Sequence, residues 1–183
     1  MKCNLFIAAF FSLCCFGAID AQPLLAICDT TYFPGSSIVK SVINYNIVDG
    51  DSIKEKEAVF FSGDGELWQK GYFKANEMDS TWLTYYPDQK IKRESYFKNG
   101  LKNGKFTNYY HNGEIKSEGF YLNDTLYGLM LIYYEDGLIQ EKRVYNRNKL
   151  NGLAIGFYPD GMLYYRINYV DSIQNGMFEK YYP

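Results

Sequence analysis

The chain has very few of the side chains that enzymes use for acid–base and nucleophilic chemistry. Its 183 residues include a single histidine, His111, so no Ser/His/Asp or Cys/His arrangement can recur along the chain. His111 stands beside a predicted turn, in a slot filled elsewhere by proline or glutamate, and we interpret it as an exposed turn residue. There is also no Gly-rich phosphate loop opening a helix. The sequence therefore predicts a non-enzymatic protein without a cofactor.

An excess of charge of one sign is lacking too. The chain carries 19 Lys and Arg against 21 Asp and Glu, which gives a net charge of −2. No basic excess points to nucleic acid or to an anionic membrane surface. We therefore expect no nucleic-acid partner.

Carboxylates are not paired in the way that a glycosidase or a metal site needs. One aspartate recurs per repeat and suits a turn, at Asp64, Asp88, Asp136 and Asp160. Their expected spacing is roughly 10 Å, whereas a retaining glycosidase needs two carboxyl groups about 5 Å apart. The acidic segments 49–51 and 62–66 lack the ligand spacing of a known calcium loop. We predict no catalytic residue and no metal site.

The first 21 residues have the layout of a secretory signal peptide. Lys2 is followed by an apolar run from Leu5 to Ile19 and by a small residue, Ala21. We expect cleavage near Ala21 and export to the periplasm, the cell surface or the medium. The run is too short for a comfortable membrane span, so we expect no integral membrane segment in the mature chain. A lipoprotein leader is the alternative, but Cys14 and Cys15 lack the small preceding residue that it needs.

Cysteine is almost absent after the leader, where Cys28 stands alone. A single cysteine cannot form an intrachain disulfide, and we interpret Cys28 as a small packed side chain. Stability must then come from another source. The 19 tyrosines, 13 phenylalanines and two tryptophans offer buried aromatic area instead.

The aromatic residues recur with a fixed period along the chain (133 − 109 = 24 and 157 − 133 = 24). The segment YYHNGEIKSEGFYLNDTLYG (109–128) returns as YYEDGLIQEKRVYNRNKLNG (133–152) and as FYPDGMLYYRINYVDSIQNG (157–176). Aromatic and β-branched residues bounded by Asn-Gly or Asp-Gly predict a β-hairpin in each unit. The fold class expected is all-β: an elongated antiparallel β-meander of 24-residue hairpin repeats, with a closing strand at residues 179–182.

Proline fixes the expected turn type. Pro159 restricts φ to about −65°, which suits a type I turn before a left-handed Gly161 in a three-residue loop with a bulge. That loop pairs Phe157 with Leu163, and regular alternation would then pair Ile155 with Tyr165 on the same face. We expect this face, which carries the Tyr109 column, to be the core.

The other face is predicted to carry the second tyrosine of each pair. This column is our candidate binding face: Tyr86, Tyr110, Tyr134, Tyr158 and Tyr182. Regular alternation also places charged and amide residues there: Lys92, Glu94, Lys116, Glu118, Gln140 and Lys142. Tyrosine mixed with charge is typical of binding surfaces, because tyrosine offers area and a hydroxyl group at low entropic cost.

The period also predicts the domain organisation. We assign 1–21 to the signal peptide, 22–36 to an irregular leader and 37–183 to one repeat domain. Within that domain, residues 37–59 form a degenerate capping unit and 60–183 the regular repeats, since terminal repeats are commonly atypical.

These repeats resemble the MORN-repeat variant family. The family pattern YY-x-(N/D)-G-x-(I/L)-x-x-E-x-x-(Y/F)-x-N-G-x-x-x-G is close to Tyr109–Gly128 and Tyr133–Gly152. In Tyr85–Gly104, Gln89 replaces the turn glycine of the pattern. In Phe157–Gly176, Arg166 replaces its acidic residue. Bacterial members are commonly labelled antitoxin components, so the resemblance implies an antitoxin-like role. For an exported chain it implies immunity against a toxin outside the cytoplasm.

Two functions remain open from the sequence. The first is an exported, non-enzymatic repeat protein that binds another protein along its sheet, because repeat arrays offer extended surfaces. The alternative is a cell-envelope glycan-binding module that uses spaced tyrosines as stacking platforms.

Overall fold

The computed structural model describes residues 25–182 and shows one antiparallel β-sheet. Consecutive strands pair with each other across the sheet, in a meander without crossovers. This confirms the all-β fold class and the hairpin repeat. The predicted signal peptide lies outside the described residues.

The sheet contains fifteen strands. In chain order they are β1 Leu25–Tyr32, β2 Val39–Val48, β3 Asp51–Phe61, β4 Leu67–Lys74, β5 Glu77–Tyr85, β6 Ile91–Lys98, β7 Leu101–Tyr109, β8 Ile115–Leu122, β9 Thr125–Leu126, β10 Gly128–Tyr133, β11 Ile139–Asn146, β12 Lys149–Leu150, β13 Gly152–Phe157, β14 Leu163–Val170 and β15 Ile173–Lys180. The short β9 and β12 pair with β8 and β11 respectively, and each continues into the longer strand that follows it.

The three-residue loops connect the strand ends along one side of the sheet. We call this side the tyrosine edge; it is not an edge strand. In the loop at Pro159, the Gly161 amide donates to the Tyr158 carbonyl at 2.9 Å and the Tyr158 amide to the Met162 carbonyl at 2.8 Å. Gly161 has φ 84°. The same left-handed conformation recurs one period apart at Gly65, Gln89, Gly113 and Gly137. The turn type predicted from Pro159 is therefore confirmed.

The opposite edge carries two-residue turns; we call it the asparagine edge. Both residues of each turn have positive φ, as a type I′ hairpin requires. The pairs are Asp49-Gly50, Ala75-Asn76, Asn99-Gly100, Asn123-Asp124, Arg147-Asn148 and Asp171-Ser172. Type I′ turns follow the right-handed twist of the strands, so they join neighbouring units without splaying them.

An extra residue after each three-residue loop changes the predicted assignment of faces. Phe157 does pair with Leu163, but Gly156 pairs with Tyr165 and Ile155 with Arg166, so Tyr164 is a bulge residue. The predicted Ile155–Tyr165 pair is wrong, because one inserted residue reverses the alternation beyond it.

The same shift occurs between Asn108 and Tyr109 in an earlier unit. It brings Glu118 opposite Thr107, which lies two residues before Tyr109. Glu94, Glu118 and Lys142 therefore share a face with the Tyr109 column and not with the Tyr110 column.

The best-buried side chains lie on the face opposite the Tyr109 column; we call it the packed face. Trp82 and Phe106 are each 3% exposed, and Ala58 and Ala154 are 0% and 2% exposed. Large and small residues alternate across the strands, so each ring can cover its neighbour. The Tyr109 column itself is only half-buried. The prediction that this column is the core is therefore wrong.

The ends of the sheet also differ from the expectation. Residues 25–32, predicted to be irregular, form β1, which pairs with β2 along its whole length. The closing strand β15 begins at Ile173 and ends at Lys180, earlier than predicted. Cys28 is exposed and not packed, because β1 is an edge strand with a single neighbour.

Candidate functional site

The predicted binding column forms a ladder of hydrogen bonds along the tyrosine edge. Each hydroxyl group donates to the backbone carbonyl that lies 23 residues further along the chain. The four bonds are Tyr86 to Tyr109 at 2.8 Å, Tyr110 to Tyr133 at 2.7 Å, Tyr134 to Phe157 at 2.8 Å and Tyr158 to Tyr181 at 2.9 Å. We call these four residues the tyrosine ladder. Each one ties its own loop to the next unit.

Three of the four ladder rings are contacted by the bulge residue of their own unit. The Lys92 and Lys116 amines lie 5.5 and 5.4 Å from the ring centroids of Tyr86 and Tyr110. In the last unit the bulge residue is Tyr164, whose ring centroid lies 4.7 Å from that of Tyr158. These contacts leave the ladder rings half-buried.

The fifth member of the predicted column differs from the other four. Tyr182 is 76% exposed, and the Lys180 amine lies 4.9 Å from its ring centroid. The assignment of the column as a binding face stays a prediction, and the ladder gives four of its five members a structural role in addition.

A second set of bonds joins the units along the asparagine edge. The Asn148 amide donates to the Leu126 carbonyl at 3.0 Å, and the Asn148 Oδ1 accepts from the Leu126 amide at 2.7 Å. Asp124 makes the same double contact with Lys102, at 2.8 Å for each bond. These turns are thereby hydrogen-bonded to the unit before them, while the tyrosine ladder connects each loop to the unit after it.

The face that carries the Tyr109 column presents a row of apolar side chains; we call it the open face. The members of this exposed row are Tyr72, Tyr96, Phe120, Leu129 and Leu153, which are 49%, 43%, 45%, 52% and 42% exposed. The row follows the repeat. Tyr96 pairs with Thr81, and Phe120, which lies one repeat later, pairs with Lys105 in the same way. It crosses β4, β6, β8, β10 and β13.

A charged cluster lies beside this exposed row. The Lys105 amine lies 2.6 Å from a Glu118 carboxylate oxygen, and the Tyr133 hydroxyl donates to the other oxygen at 2.7 Å. The bond from Lys105, followed by that from Tyr133, lowers the pKa of Glu118. Burial, together with the bond to Glu118, raises the pKa of Tyr133 to about 12. Glu118 therefore stays ionised and is held by two donors at neutral pH.

Two surface depressions meet at Lys105 in the middle of the row. One has a volume of about 210 Å³ and is lined by Glu94, Tyr96 and Thr107 among others. The second, of about 290 Å³, is lined by Glu118, Phe120, Leu129 and Leu131 as well as Lys105. Apolar walls with a few fixed polar groups are the usual composition of the centre of a protein interface.

The residues considered for chemistry occupy the loops. The His111 side chain is 63% exposed, as predicted, and its Nε2 lies 3.4 Å from an Asp88 carboxylate oxygen. In their own turns, Asp136 and Asp160 accept from the backbone amides two residues ahead, at 3.0 and 2.9 Å. Within residues 25–182, no three His, Cys, Asp or Glu side chains are grouped so that they could hold a metal ion.

Tyr96 and Phe120 of the exposed row were missed because only the bulge within each loop was predicted and the second bulge beyond the loop was not. Counting alternate residues from the loop placed Glu118 on the wrong face, and Phe120 with it. The tyrosine ladder did leave a signal: the ladder position is tyrosine from Tyr86 onward, whereas the neighbouring column accepts Phe157 in place of Tyr133. From Tyr86 to Tyr158 this position keeps its hydroxyl group, and in each of these units the hydroxyl group is bonded.

Comparison with known families finds a match to three segments of the repeat region. A family model described as MORN repeat variant matches residues 78–99, 102–123 and 150–171. The starts of the matched segments differ by one period and then by two (102 − 78 = 24 and 150 − 102 = 48), in phase with the structural repeat. No curated protein matches the chain. In the described part of the chain, no helix is both long enough and apolar enough to cross a membrane.

Proposed function

We propose, from the premise that this chain carries repeats of the MORN variant family, that it is an exported, non-enzymatic protein that binds another protein on its open face. The observation that carries the proposal is the exposed row. Five apolar side chains, each at least 42% exposed, are aligned on one face of a continuous sheet. Contiguous apolar surface rimmed by charge marks interaction sites.

The surrounding charges support a specific interface and not nonspecific hydrophobic association. Lys105 and Glu118 form an ion pair in the middle of the row, and Tyr133 fixes the carboxylate from the other side. Groups held in place before binding lose less conformational freedom on association. The family resemblance and the predicted export together suggest an immunity-like role, in which the partner is a toxin outside the cytoplasm.

The test compares two exposed leucines in a capture experiment. Leu129 is 52% exposed in the row, and Leu138 is 47% exposed at a loop on the tyrosine edge. With tagged protein and cell-envelope extract, we expect Leu129→Ser to lose the captured partner and Leu138→Ser to retain it. Thermal melts of both variants check that the fold is intact. Equal capture by the two variants would contradict the proposal.

The glycan-binding alternative rests on the aromatic members of the same row. Tyr72, Tyr96 and Phe120 present rings at intervals of one repeat, so they could stack against sugars. Binding of the protein to purified, protein-free envelope polysaccharide decides between the two functions. Retention that Phe120→Ala abolishes would favour the glycan, and no retention favours the protein partner.

A further inference from the structure

The chain contains several Asn-Gly dipeptides, which can modify themselves without an enzyme. They begin at Asn99, Asn103, Asn112, Asn151 and Asn175. The amide nitrogen of the glycine attacks the carbonyl carbon of the asparagine side chain, and glycine has no side chain that would hinder this approach. The repeat domain therefore carries the same reacting pair in five different surroundings.

The reaction needs only the chain and water. A bond forms between the glycine nitrogen and the asparagine Cγ, and the bond between Cγ and Nδ2 breaks. The glycine nitrogen loses its proton, and Nδ2 leaves as ammonia. Water then opens the cyclic imide at one of its two carbonyl groups and leaves aspartate or isoaspartate. Because both reacting groups belong to one dipeptide, the local geometry controls the rate.

The pair at Asn112 is held in place at both ends of its side chain. The Asn112 Oδ1 accepts from the Glu114 amide at 2.9 Å, and its Nδ2 donates to the Glu135 carbonyl at 3.0 Å. The Gly113 amide, which would have to attack, donates to the Tyr110 carbonyl at 3.0 Å. Attack at this site therefore requires several hydrogen bonds to break first.

Three further pairs are each engaged in a contact between strands or units. The Gly100 amide donates to the Met78 carbonyl at 2.9 Å. The Asn103 Nδ2 donates to the Asn123 Oδ1 at 2.7 Å. Gly152 pairs with β14 in the sheet. In each case the nucleophile or the side chain is held by a partner.

The pair at Asn175 lies in a bulge of β15. Strands β14 and β15 pair on both sides of residues 175–177 but not within them, and in the described part of the chain β15 pairs with no other strand. Asn175 and Gly176 are both exposed. Within the described residues the Asn175 side chain forms no hydrogen bond, whereas Gln174 donates to the Gly176 carbonyl at 3.2 Å.

The backbone at Gly176 is also open to attack. Its φ of 97° lies in the region that favours glycine, and a Cβ atom added there would meet nothing within 4 Å. At Gly152, by contrast, an added Cβ atom would lie 3.3 Å from the Val144 Cβ. The Asn175 side chain can therefore turn towards the Gly176 nitrogen without displacing a neighbour.

We propose that Asn175-Gly176 is a site of spontaneous modification, at which Asn175 becomes aspartate or isoaspartate faster than any other Asn-Gly asparagine of the folded chain. This inference goes beyond the proposed function and needs no partner. The reaction adds a negative charge near Leu153 of the exposed row, since Leu153 pairs with Asn168 and Asn168 faces the bulge. Two strand spacings, roughly 10 Å, separate them.

The experiment measures the five sites in one sample. Purified protein is kept at mildly alkaline pH, and peptide mapping by mass spectrometry follows the replacement of each amide by an acid over time. We expect Asn175 to react first and the other four at least about fivefold more slowly, because each must first lose a hydrogen bond. In concentrated urea, where these bonds are absent, the differences should shrink.

Two variants separate the site from its neighbours. Asn175→Gln should remove the fastest mass change, since the longer side chain would have to close a larger ring. Asn151→Gln is the matched control one repeat earlier, and it should leave the reaction at Asn175 unchanged.

Three results would overturn the proposal. The first is another Asn-Gly pair that reacts as fast as Asn175 in the folded protein. The second is the same ratio of rates in urea, and the third is an Asn175→Gln variant that gains acid as fast as the wild type. No partner is present in these measurements, so their failure would leave the proposed function untouched.

Discussion

At the scale of single residues, rings packed closely over glycines bury the aromatic side chains of the packed face. A Cβ atom added at Gly71 would overlap three atoms of the Trp82 indole. The indole also packs edge-on against Phe73, with centroids 5.2 Å apart. The ring cannot move away without disturbing this contact and its own hydrogen bond to Tyr72.

We predict that Gly71→Ala destabilises the protein by about 1–3 kcal/mol through overpacking. Gly63→Ala is the matched control, because a Cβ atom there meets nothing within 4 Å. Urea unfolding of both variants, followed by tryptophan fluorescence, measures the difference. Equal midpoints for Gly71→Ala and the wild type would show that Trp82 does not lie on Gly71.

A second residue-scale prediction concerns alkaline stability. Burial and the bond to Glu118 raise the pKa of Tyr133 to about 12, compared with about 10 for a free tyrosine. A group whose pKa is raised on folding stabilises the fold below its unfolded pKa, and this stability is lost as pH rises from about 10 towards the folded value. Unfolding free energy should therefore fall over that range.

Tyr133→Phe should reduce the alkaline loss and cost about 1 kcal/mol at neutral pH, for one hydrogen bond. Tyr85→Phe is the control, because Tyr85 holds the same position two repeats earlier and its ring lies 5.9 Å from the Lys70 amine. Chemical denaturation at a series of pH values compares them. If Tyr133→Phe lost as much unfolding free energy at alkaline pH as the wild type does, Tyr133 would not be the source of that loss.

At the scale of elements, each unit is joined to its neighbours by bonds at both long edges of the sheet. The tyrosine ladder connects each loop forward, and the asparagine-edge turns connect backward. Strand pairing alone would leave the loops at the two edges free. With both sets of bonds, the loops and turns are also bonded to the neighbouring units.

We predict that Tyr134→Phe lowers stability by about 1 kcal/mol, for the lost bond to the Phe157 carbonyl. Tyr134→Ala should cost more, on the order of 2 kcal/mol, since it also removes a half-buried ring. Tyr182→Phe should be neutral, because Tyr182 is 76% exposed. Thermal melts report all three. An unchanged melting temperature for Tyr134→Ala would mean that the ladder does not stabilise the sheet.

The hairpin repeat could be predicted because its signals are local. Pro159 and Gly161 define a loop whose geometry depends on the backbone of its own few residues, and the regular period repeats that loop along the chain. The bulge at Tyr164 has no such local signal, since lysine, glutamine, tryptophan and tyrosine all occur at that position. The faces beyond it therefore could not be assigned from alternation alone.

The candidate surface depends on the same missing step. Glu118 and Phe120 both lie after a bulge, so their face follows from pairing with Thr107 and Lys105 and not from their distance to the loop. The buried residues of the packed face were also missed, because Gly71 and Trp82 become neighbours only when two strands are brought together. Contacts between strands determine which face a residue lies on and which residues are buried together. The pattern of a single strand does not.

At the scale of the whole molecule, the two faces of one sheet have different roles. The packed face carries the aromatic core, with Trp82 and Phe106 each 3% exposed, whereas every member of the exposed row on the open face is at least 42% exposed. A single sheet that buries its rings on one side leaves the other side available for a partner. We propose that a protein partner covers the exposed row.

Hydroxyl-radical footprinting of the captured complex tests this claim most directly. We predict that Tyr72, Tyr96, Phe120, Leu129 and Leu153 lose oxidation when the partner is bound. The tyrosine ladder residues Tyr86, Tyr110, Tyr134 and Tyr158 should be oxidised as in the free protein. Protection confined to the tyrosine edge, with the exposed row oxidised as in the free protein, would contradict it.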